Sequence, residues 1–390
     1  MNSKNNIPQL RFPGFSGEWE EKRIGDITDN VYQPQTISKE QFTNGGFPVY
    51  GANGIIGFFD KYNHETDQIL VTCRGASCGT INFSKGKCWI TGNAMVVNLD
   101  NVENQYNKNF IYYLLENSDL NSIITGSGQP QIVRGPLLNF SIYTPPTFSE
   151  QKKIALFLSE FDSLIAAQGE KVDALKEKKK GMMQQMFPQK GETTPRLRFP
   201  GFTGEWDYVD GDELFEAISN KNHNSDLPIL ALTQDQGAVP RDMINYNVIV
   251  SDKSVAGYKV VEVDDFIISL RSFQGGIEYS RYKGLCSPAY IVLRKKSKEL
   301  CSDFYRIYFK SFNYIQDLNK NLEGIRDGKM ISYKQFSEIK LPKPSPSEQQ
   351  KIAECLSAMD DMIASESVKL DALKDHKKGL MQQLFPQPNK

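Results

Sequence analysis

Histidine and tryptophan are scarce in this sequence, three residues of each. The histidines, His64, His223 and His376, are scattered, and no His-x-Glu or Cys-x-x-Cys spacing occurs, so no zinc site is expected. The six cysteines, Cys73, Cys78, Cys88, Cys286, Cys301 and Cys355, form no regular framework. Free thiols in a reducing compartment are the reading they support. No apolar run approaches the ~18 residues of a membrane helix. Met1 to Leu10 is polar and lacks an apolar core, so no signal peptide is expected and the chain reads as cytoplasmic. An excess of one charge is also missing. Forty-six Lys and Arg stand against 47 Asp and Glu, a net charge of -1. That excludes a histone-like coat of positive charge but leaves room for a local basic face.

Catalytic signatures are missing too. There is no Gly-x-x-x-x-Gly-Lys-[Ser/Thr] loop and no Gly-x-Gly-x-x-Gly after a strand. Gly51-Ala-Asn-Gly54 and Gly75 to Gly79 are turns with the wrong spacing for a cofactor. The Asn/Asp-Pro-Pro-aromatic motif of amino-methyltransferases is absent, and Thr144-Pro-Pro-Thr147 is only the approach to a helix. No catalytic residue, metal or cofactor is therefore assigned to this chain.

What the chain does contain is a duplication. Pro8-Gln-Leu-Arg-Phe-Pro-Gly-Phe-Ser-Gly-Glu-Trp19 recurs as Pro195-Arg-Leu-Arg-Phe-Pro-Gly-Phe-Thr-Gly-Glu-Trp206. The stretch from Ser149-Glu-Gln to Phe187-Pro-Gln recurs from Ser347-Glu-Gln to Phe385-Pro-Gln, with about 25 of 41 positions identical. Internal repeats decide architecture. The expected division is 1–148 and 189–346 as globular segments, with 149–188 and 347–390 as helical ones. The second helix ends like the first, which leads into a Phe-Pro-Gly-Phe motif. The C-terminus thus points back toward the N-terminus, as a pseudo-two-fold ring requires.

Prolines before Ser149 and Ser347 mark helix starts, and Pro188 and Pro386 mark the ends. Ile154, Phe161, Leu175 and Met182 share a seven-residue spacing, interrupted at Gln168. The second copy has Ile352, Met359, Leu373 and Leu380. Such a seam predicts long helices that pack on each other rather than lie singly on their own domains. The globular segments match more faintly. Each has a strand ending in Arg (67–74; 264–271), a Gly-containing loop, a short strand (80–83; 277–280) and a basic turn. A second apolar strand follows (94–99; 289–293), then an aromatic-rich helix (110–124; 304–318) and a Gly-rich loop (126–129; 324–328). The expected fold is α/β (α+β): two tandem mixed domains with a curved sheet, each followed by a long helix.

This combination resembles the HsdS specificity subunits of type I restriction–modification enzymes over essentially the whole chain. The residues that carry the resemblance are Phe12 to Trp19, Phe199 to Trp206 and the two Ser-Glu-Gln helices. It implies two target recognition domains, each reading half of a split double-stranded DNA target, spaced by an antiparallel coiled coil. It also implies two methyltransferase subunits, which use S-adenosylmethionine on adenine, and two ATP- and Mg-dependent motor and nuclease subunits. One rival reading is a non-catalytic structural adaptor that reads no DNA; another is a fused methyltransferase–nuclease, against which the missing motifs count heavily.

The base-reading residues lie where the two halves diverge, so their candidates come from chemistry. Arg74 and Arg271 close matched strands beside Gly-containing loops, and Arg suits guanine. Ser77, Lys85 and Lys87 follow in the first half, and Gln274, Arg281, Tyr282 and Lys283 accompany Arg271 in the second. They are expected to converge near one loop and to include phosphate contacts. The later loops add Gln129, Gln131 and Arg134, and Arg326 and Lys329. The basic run 176–180, copied at Lys374, Lys377 and Lys378, is expected to be a solvated coiled-coil face.

Overall fold

The computed structural model describes residues 6–126, 128–224, 226–244, 255–320 and 331–386. It forms two compact units, 1–170 with 368–390, and 171–367. The boundaries fall inside both long helices, Phe148–Met186 and Pro346–Leu384, of 39 residues each.

In the first unit β1 (Glu20–Arg23) pairs antiparallel with β9 (Ser141–Thr144), bringing the two ends of the globular segment together. Between them lie β2 (Val31–Tyr32), β3 (Phe47–Gly51), β4 (Gly54–Phe59), β5 (Ile69–Thr72), β6 (Ile81–Phe83), β7 (Trp89–Ile90) and β8 (Ala94–Val97). They form an antiparallel sheet in the order β2-β8-β5-β6 and a smaller one in the order β4-β3-β7. Strands β5 and β8 are buried along their whole length. Alternation then divides each between two cores. Ile69, Val71, Met95 and Val97 join Phe110 and Leu114 on the helix side. Leu70, Ala94 and Val96 join Tyr50, Cys88 and Ile90 on the other.

The second unit repeats this frame. Strands β10 (Asp207–Asp210) and β19 (Lys340–Lys343) form the closing pair. Between them are β11 (Phe215–Ile218), β12 (Leu230–Thr233), β13 (Gly237–Pro240), β14 (Lys259–Val261), β15 (Phe266–Ile268), β16 (Glu278–Tyr279), β17 (Gly284–Cys286) and β18 (Ile291–Lys295). The order β11-β18-β15-β16 copies that of the first sheet. Phe266, Ile268 and Leu293 face the aromatic helix, while Ile267 and Val292 face Leu230, Val261 and Cys286.

The aromatic helix is broken in both halves, against the expectation of one continuous helix. Lys108–Glu116 is followed by a separate 3₁₀ turn, Leu120–Ile123. Asp119 interrupts, accepting a hydrogen bond from the Asn121 amide. Ser302–Tyr308 is followed by Phe312–Lys320, restarted by Ser311, whose hydroxyl accepts from the Tyr314 amide. Short polar side chains compete for backbone donors and so open new helices. The long helices also begin earlier than expected. Thr147 and Ser345, not Ser149 and Ser347, lie nearest the first free amides, at 3.4 Å from the Glu150 nitrogen and 3.3 Å from the Glu348 nitrogen.

The Ser-Glu-Gln motif has a structural task in each copy. Buried Glu150 receives Nε and Nη2 of Arg11, both at 2.8 Å. Buried Glu348 receives the same atoms of Arg198 at 2.7 and 2.8 Å. Arg11 also donates to the Gly17 carbonyl and Arg198 to the Gly204 carbonyl. A bidentate pair at a helix N-terminus thus ties each Phe-Pro-Gly-Phe loop to its helix. Gln151 accepts from the Asn107 amide, and Gln349 from the Cys301 amide. Each Gln thereby holds the start of the aromatic helix.

Ile154 and Ile352, expected on the seam, lie in the globular core of their own units. Further along, Phe161, Leu175, Met182, Leu373 and Leu380 are half-buried, and Met359 is buried. In the second unit Lys171 pairs with Glu366 at 3.0 Å, and Lys179 pairs with Asp360. The partner number falls as the first rises, so the helices run antiparallel there. In the first unit Lys377 pairs with Asp162 at 2.6 Å, and the Phe161 ring meets His376 at 5.5 Å. The end of each long helix is core as well. Phe385 packs on Trp19 and Phe110, and the Leu10 amide donates to the Gln383 carbonyl. Phe187 packs on Trp206, Phe304 and Tyr308. The C-terminal helix therefore does return to the N-terminal motif.

Candidate nucleic-acid interface

Strand β5 delivers Arg74 to an exposed position at its C-terminal end. The later Gly-rich loop comes back to meet it. Arg74 and Gln131 form an antiparallel bridge, the Gly75 amide donates to the Pro130 carbonyl, and the Ile132 amide donates to the Cys73 carbonyl. Arg74, Gln131 and Arg134 therefore line one cleft of about 270 Å³, together with Tyr32 and Gln33. Gln129 is exposed on the same loop, and Ser77 sits in the turn after Arg74, where its carbonyl accepts from the Thr80 amide. Arg134 uses Nε and Nη2 to hold the Val31 and Asp29 carbonyls, both at 2.7 Å. It shapes the cleft wall as much as it offers charge.

Tyr32 and Gln33 escaped the sequence reading because nothing in their local pattern marks them. The fold places them: Gln33 Nε2 donates to Cys73 Sγ at 2.9 Å, and Tyr32 stacks on His64 with its hydroxyl 2.7 Å from Nε2. Burial holds the His64 imidazole below its ordinary value, with Asp100 opposing, and burial pushes the Tyr32 hydroxyl up. Both groups are neutral near pH 7.

The expected convergence of all the basic residues near one loop does not occur. Strands β5 and β6 are antiparallel, so the chain returns one strand length before reaching the basic turn. Lys85 pairs with Asp67 at 3.1 Å, at the start of the β5 segment, and lies over the Phe83 ring. Lys87 lies over Tyr62. From Asp67 to Arg74 is roughly 23 Å of extended chain. Lys85 and Lys87 thus stand at the end of the sheet opposite Arg74. The second unit repeats the arrangement. Arg271 and Gln274 are exposed after β15. Arg281 and Lys283 follow β16 at the other end, where Lys283 pairs with Glu262 at 3.0 Å. Tyr282 packs against the small core beneath. Arg326 and Lys329 lie outside the described residues.

On the helices, Lys176, Lys180 and Lys374 are exposed and near carboxylates of their own helix. Lys377 is not a solvated side chain: it is 11% exposed, paired with Asp162 and Glu116 and set over the Tyr113 ring. Its copy Lys179 is also partly buried. Among the described residues no group of three or more His, Cys, Asp or Glu is placed to hold a metal ion. No described helix is long and apolar enough to cross a membrane.

With this geometry in hand, the likeness to known proteins is specific. The type I restriction modification DNA specificity domain matches the chain twice, over residues 16–177 and 204–375. The MjaVIII type I restriction enzyme specificity subunit of Methanocaldococcus jannaschii is 25% identical over 400 residues, covering 94% of this chain and 92% of its own. The MjaX specificity subunit of the same organism is 28% identical over 270 residues, which span 66% of this chain and only 61% of that protein. The crystal structure of a type I restriction–modification S subunit from M. genitalium shares the fold, with a TM-score of 0.63 and 18% identity, over 98% of this chain and all of that one.

Proposed function

The chain belongs to the type I restriction–modification DNA specificity family, and from that premise we propose that it is the non-catalytic specificity subunit of such an enzyme. It reads a bipartite double-stranded DNA target, one half-site with the segment 1–148 and the other with 189–346. It directs adenine methylation, or ATP-dependent cleavage, by two methyltransferase and two restriction subunits. S-adenosylmethionine, ATP and Mg act on those partners. The observation that carries the reading is the matched placement of Arg74 and Arg271. Each leaves the same strand of the same sheet, exposed, beside a different set of polar neighbours: Gln131 and Arg134 in one case, Gln274 in the other. A common frame with unlike polar tips suits two readers of two sequences. Arg and Gln at the tips suit guanine and adenine edges. Ser77 and Gln129 flank the Arg74 tip, while Lys85, Lys87, Arg281, Tyr282 and Lys283 stand at the far end of each sheet, where phosphate is the fitting target.

The test is methylome sequencing of cells that express the chain with its methyltransferase partner. Arg74→Ala should relax or change one half of the methylated motif, and Arg271→Ala the other half only. Each lost bidentate contact reduces discrimination by ~1–3 kcal/mol. An unchanged motif in both variants, or methyl transfer by the purified chain alone, overturns the assignment.

A further inference from the structure

The turn Gly51-Ala-Asn-Gly54 carries no cofactor spacing, yet it sits at the tip of the β3–β4 hairpin, and that tip is unusual. Ile55 and Ile56 are adjacent in sequence, and both are exposed, 56% and 48%. In a regular strand neighbours point to opposite faces. Here the register shifts between Val49 and Tyr50: Tyr50 faces Ile55 while Val49 faces Gly57, leaving Ile56 as the extra residue. Bulges of this kind re-aim side chains and cluster near functional sites.

The apolar residues at the root of the hairpin are spent on the fold. Phe59 meets Trp89 edge-on at 5.1 Å, and Phe47 meets Tyr62 at 4.9 Å. Those at the tip are not. Asn53, also exposed, makes no hydrogen bond to any described residue. The tip is nevertheless held firmly. The Ala52 carbonyl accepts the Thr72 hydroxyl and the Asn82 amide, the latter at 2.9 Å. Thr72 is the last residue of β5, two before Arg74. Gly54, at φ +98°, allows the chain to turn there. Among its described residues the second unit shows no exposed isoleucine pair at a hairpin tip; its β12–β13 turn exposes Gln234, Asp235 and Gln236 instead. Its β12–β13 hairpin shows only buried and half-buried residues on its strands.

We propose that the hairpin tip Asn53–Ile56 is a base-reading element for an A·T pair in the first half-site, which it contacts beside Arg74. The chemistry is that of the groove edge. An Asn side chain matches adenine N6 and N7, and an apolar side chain packs on the thymine methyl. A rigid mount next to the Arg74 cleft lets the tip contribute without an ordering cost. Protein partners would instead call for a surface common to both halves, and among the described residues this apolar tip occurs in the first half alone. The inference rests on the DNA-reading assignment above.

The experiment compares wild type, Asn53→Ala, Ile55→Ser/Ile56→Ser and the conservative Ile55→Val/Ile56→Val, each as the complex with its methyltransferase subunits. The readouts are the methylated motif and competition by duplexes in which single A·T pairs of the first half-site become G·C. Both disruptive variants should lose selectivity at one A·T position, by roughly 5- to 150-fold, the range of one good base contact. The second half-site should be unchanged, and the valine variant should retain the motif. All three side chains are exposed, so melting temperatures should agree. An intact first half-site in both disruptive variants overturns the proposal. So does loss of methyltransferase copurification with the motif otherwise kept, which would make the tip a protein contact. A wild-type complex with no methylated motif at all would instead sink the DNA-reading assignment, and the tip with it.

Discussion

In the first unit the hairpin that leaves the main sheet is β3–β4, whose tip displays two isoleucines and an asparagine. In the second unit the corresponding insertion is β12–β13, whose strands show no exposed apolar side chain. Around these inserts the frame is the same: the closing pair β1/β9 or β10/β19, the sheet order, the Arg–Glu latch and the docked Phe-Pro helix end. Divergence is thus confined to what the frame carries. Buried, bidentate and capping roles tolerate few alternatives, whereas an exposed tip is free to change.

The comparison can be broken most severely at the latches. Arg11→Ala leaves Glu150, 1% exposed, as an unpaired buried carboxylate, and Arg198→Ala does the same to Glu348 at 3%. Losses of ~3–5 kcal/mol are expected for each, seen as equal falls in denaturant midpoint. Clearly unequal losses would show that the two frames are not energetically equivalent.

A smaller and asymmetric effect is expected between the helices. Lys377 engages Asp162, Glu116 and the Tyr113 ring, whereas Lys179 engages Asp360. Lys377→Ala should cost about 1–2 kcal/mol and Lys179→Ala about 1 kcal/mol or less, since their carboxylate partners are more than a third exposed. Chemical denaturation of the two variants decides this. A larger loss for Lys179→Ala would contradict the ranking.

The smallest effect is a pH dependence lodged in the first unit. His64 is buried and its folded value lies below the ordinary 6.5. As pH falls through 6.5 the unfolded chain takes up this proton first, so stability is lost on the acid side. His64→Gln should flatten the decline in melting temperature between about pH 7 and pH 5. An unchanged slope would place the acid sensitivity elsewhere.

Much of this molecule was legible in one dimension because duplication exposes it. The two helices, their proline ends and the return of the C-terminus to the N-terminal motif all follow from residues repeated in order. Strand positions followed too, since Ile69 to Thr72 and Phe266 to Ile268 are short, wholly apolar or β-branched runs. The broken aromatic helices were harder to see. Asp119 and Ser311 act through hydrogen bonds to nearby amides, while the apolar periodicity runs on past them.

The sequence by itself determined the architecture: two copies of one frame, with a long amphipathic helix after each, because hydrophobic period and capping chemistry are local properties. Tertiary structure alone decided which polar residues stand together. An antiparallel return carries Lys85 and Lys283 a strand length away from Arg74 and Arg271, while the loop ending in Gln131 and the segment holding Gln33 are brought to Arg74 from dozens of residues away. A bulge, invisible in the order of residues, turned Ile55 and Ile56 outward together. Adjacency along the chain fixes secondary structure. Neighbourhood at a surface depends on strand direction and register, and only the paired sheet sets those.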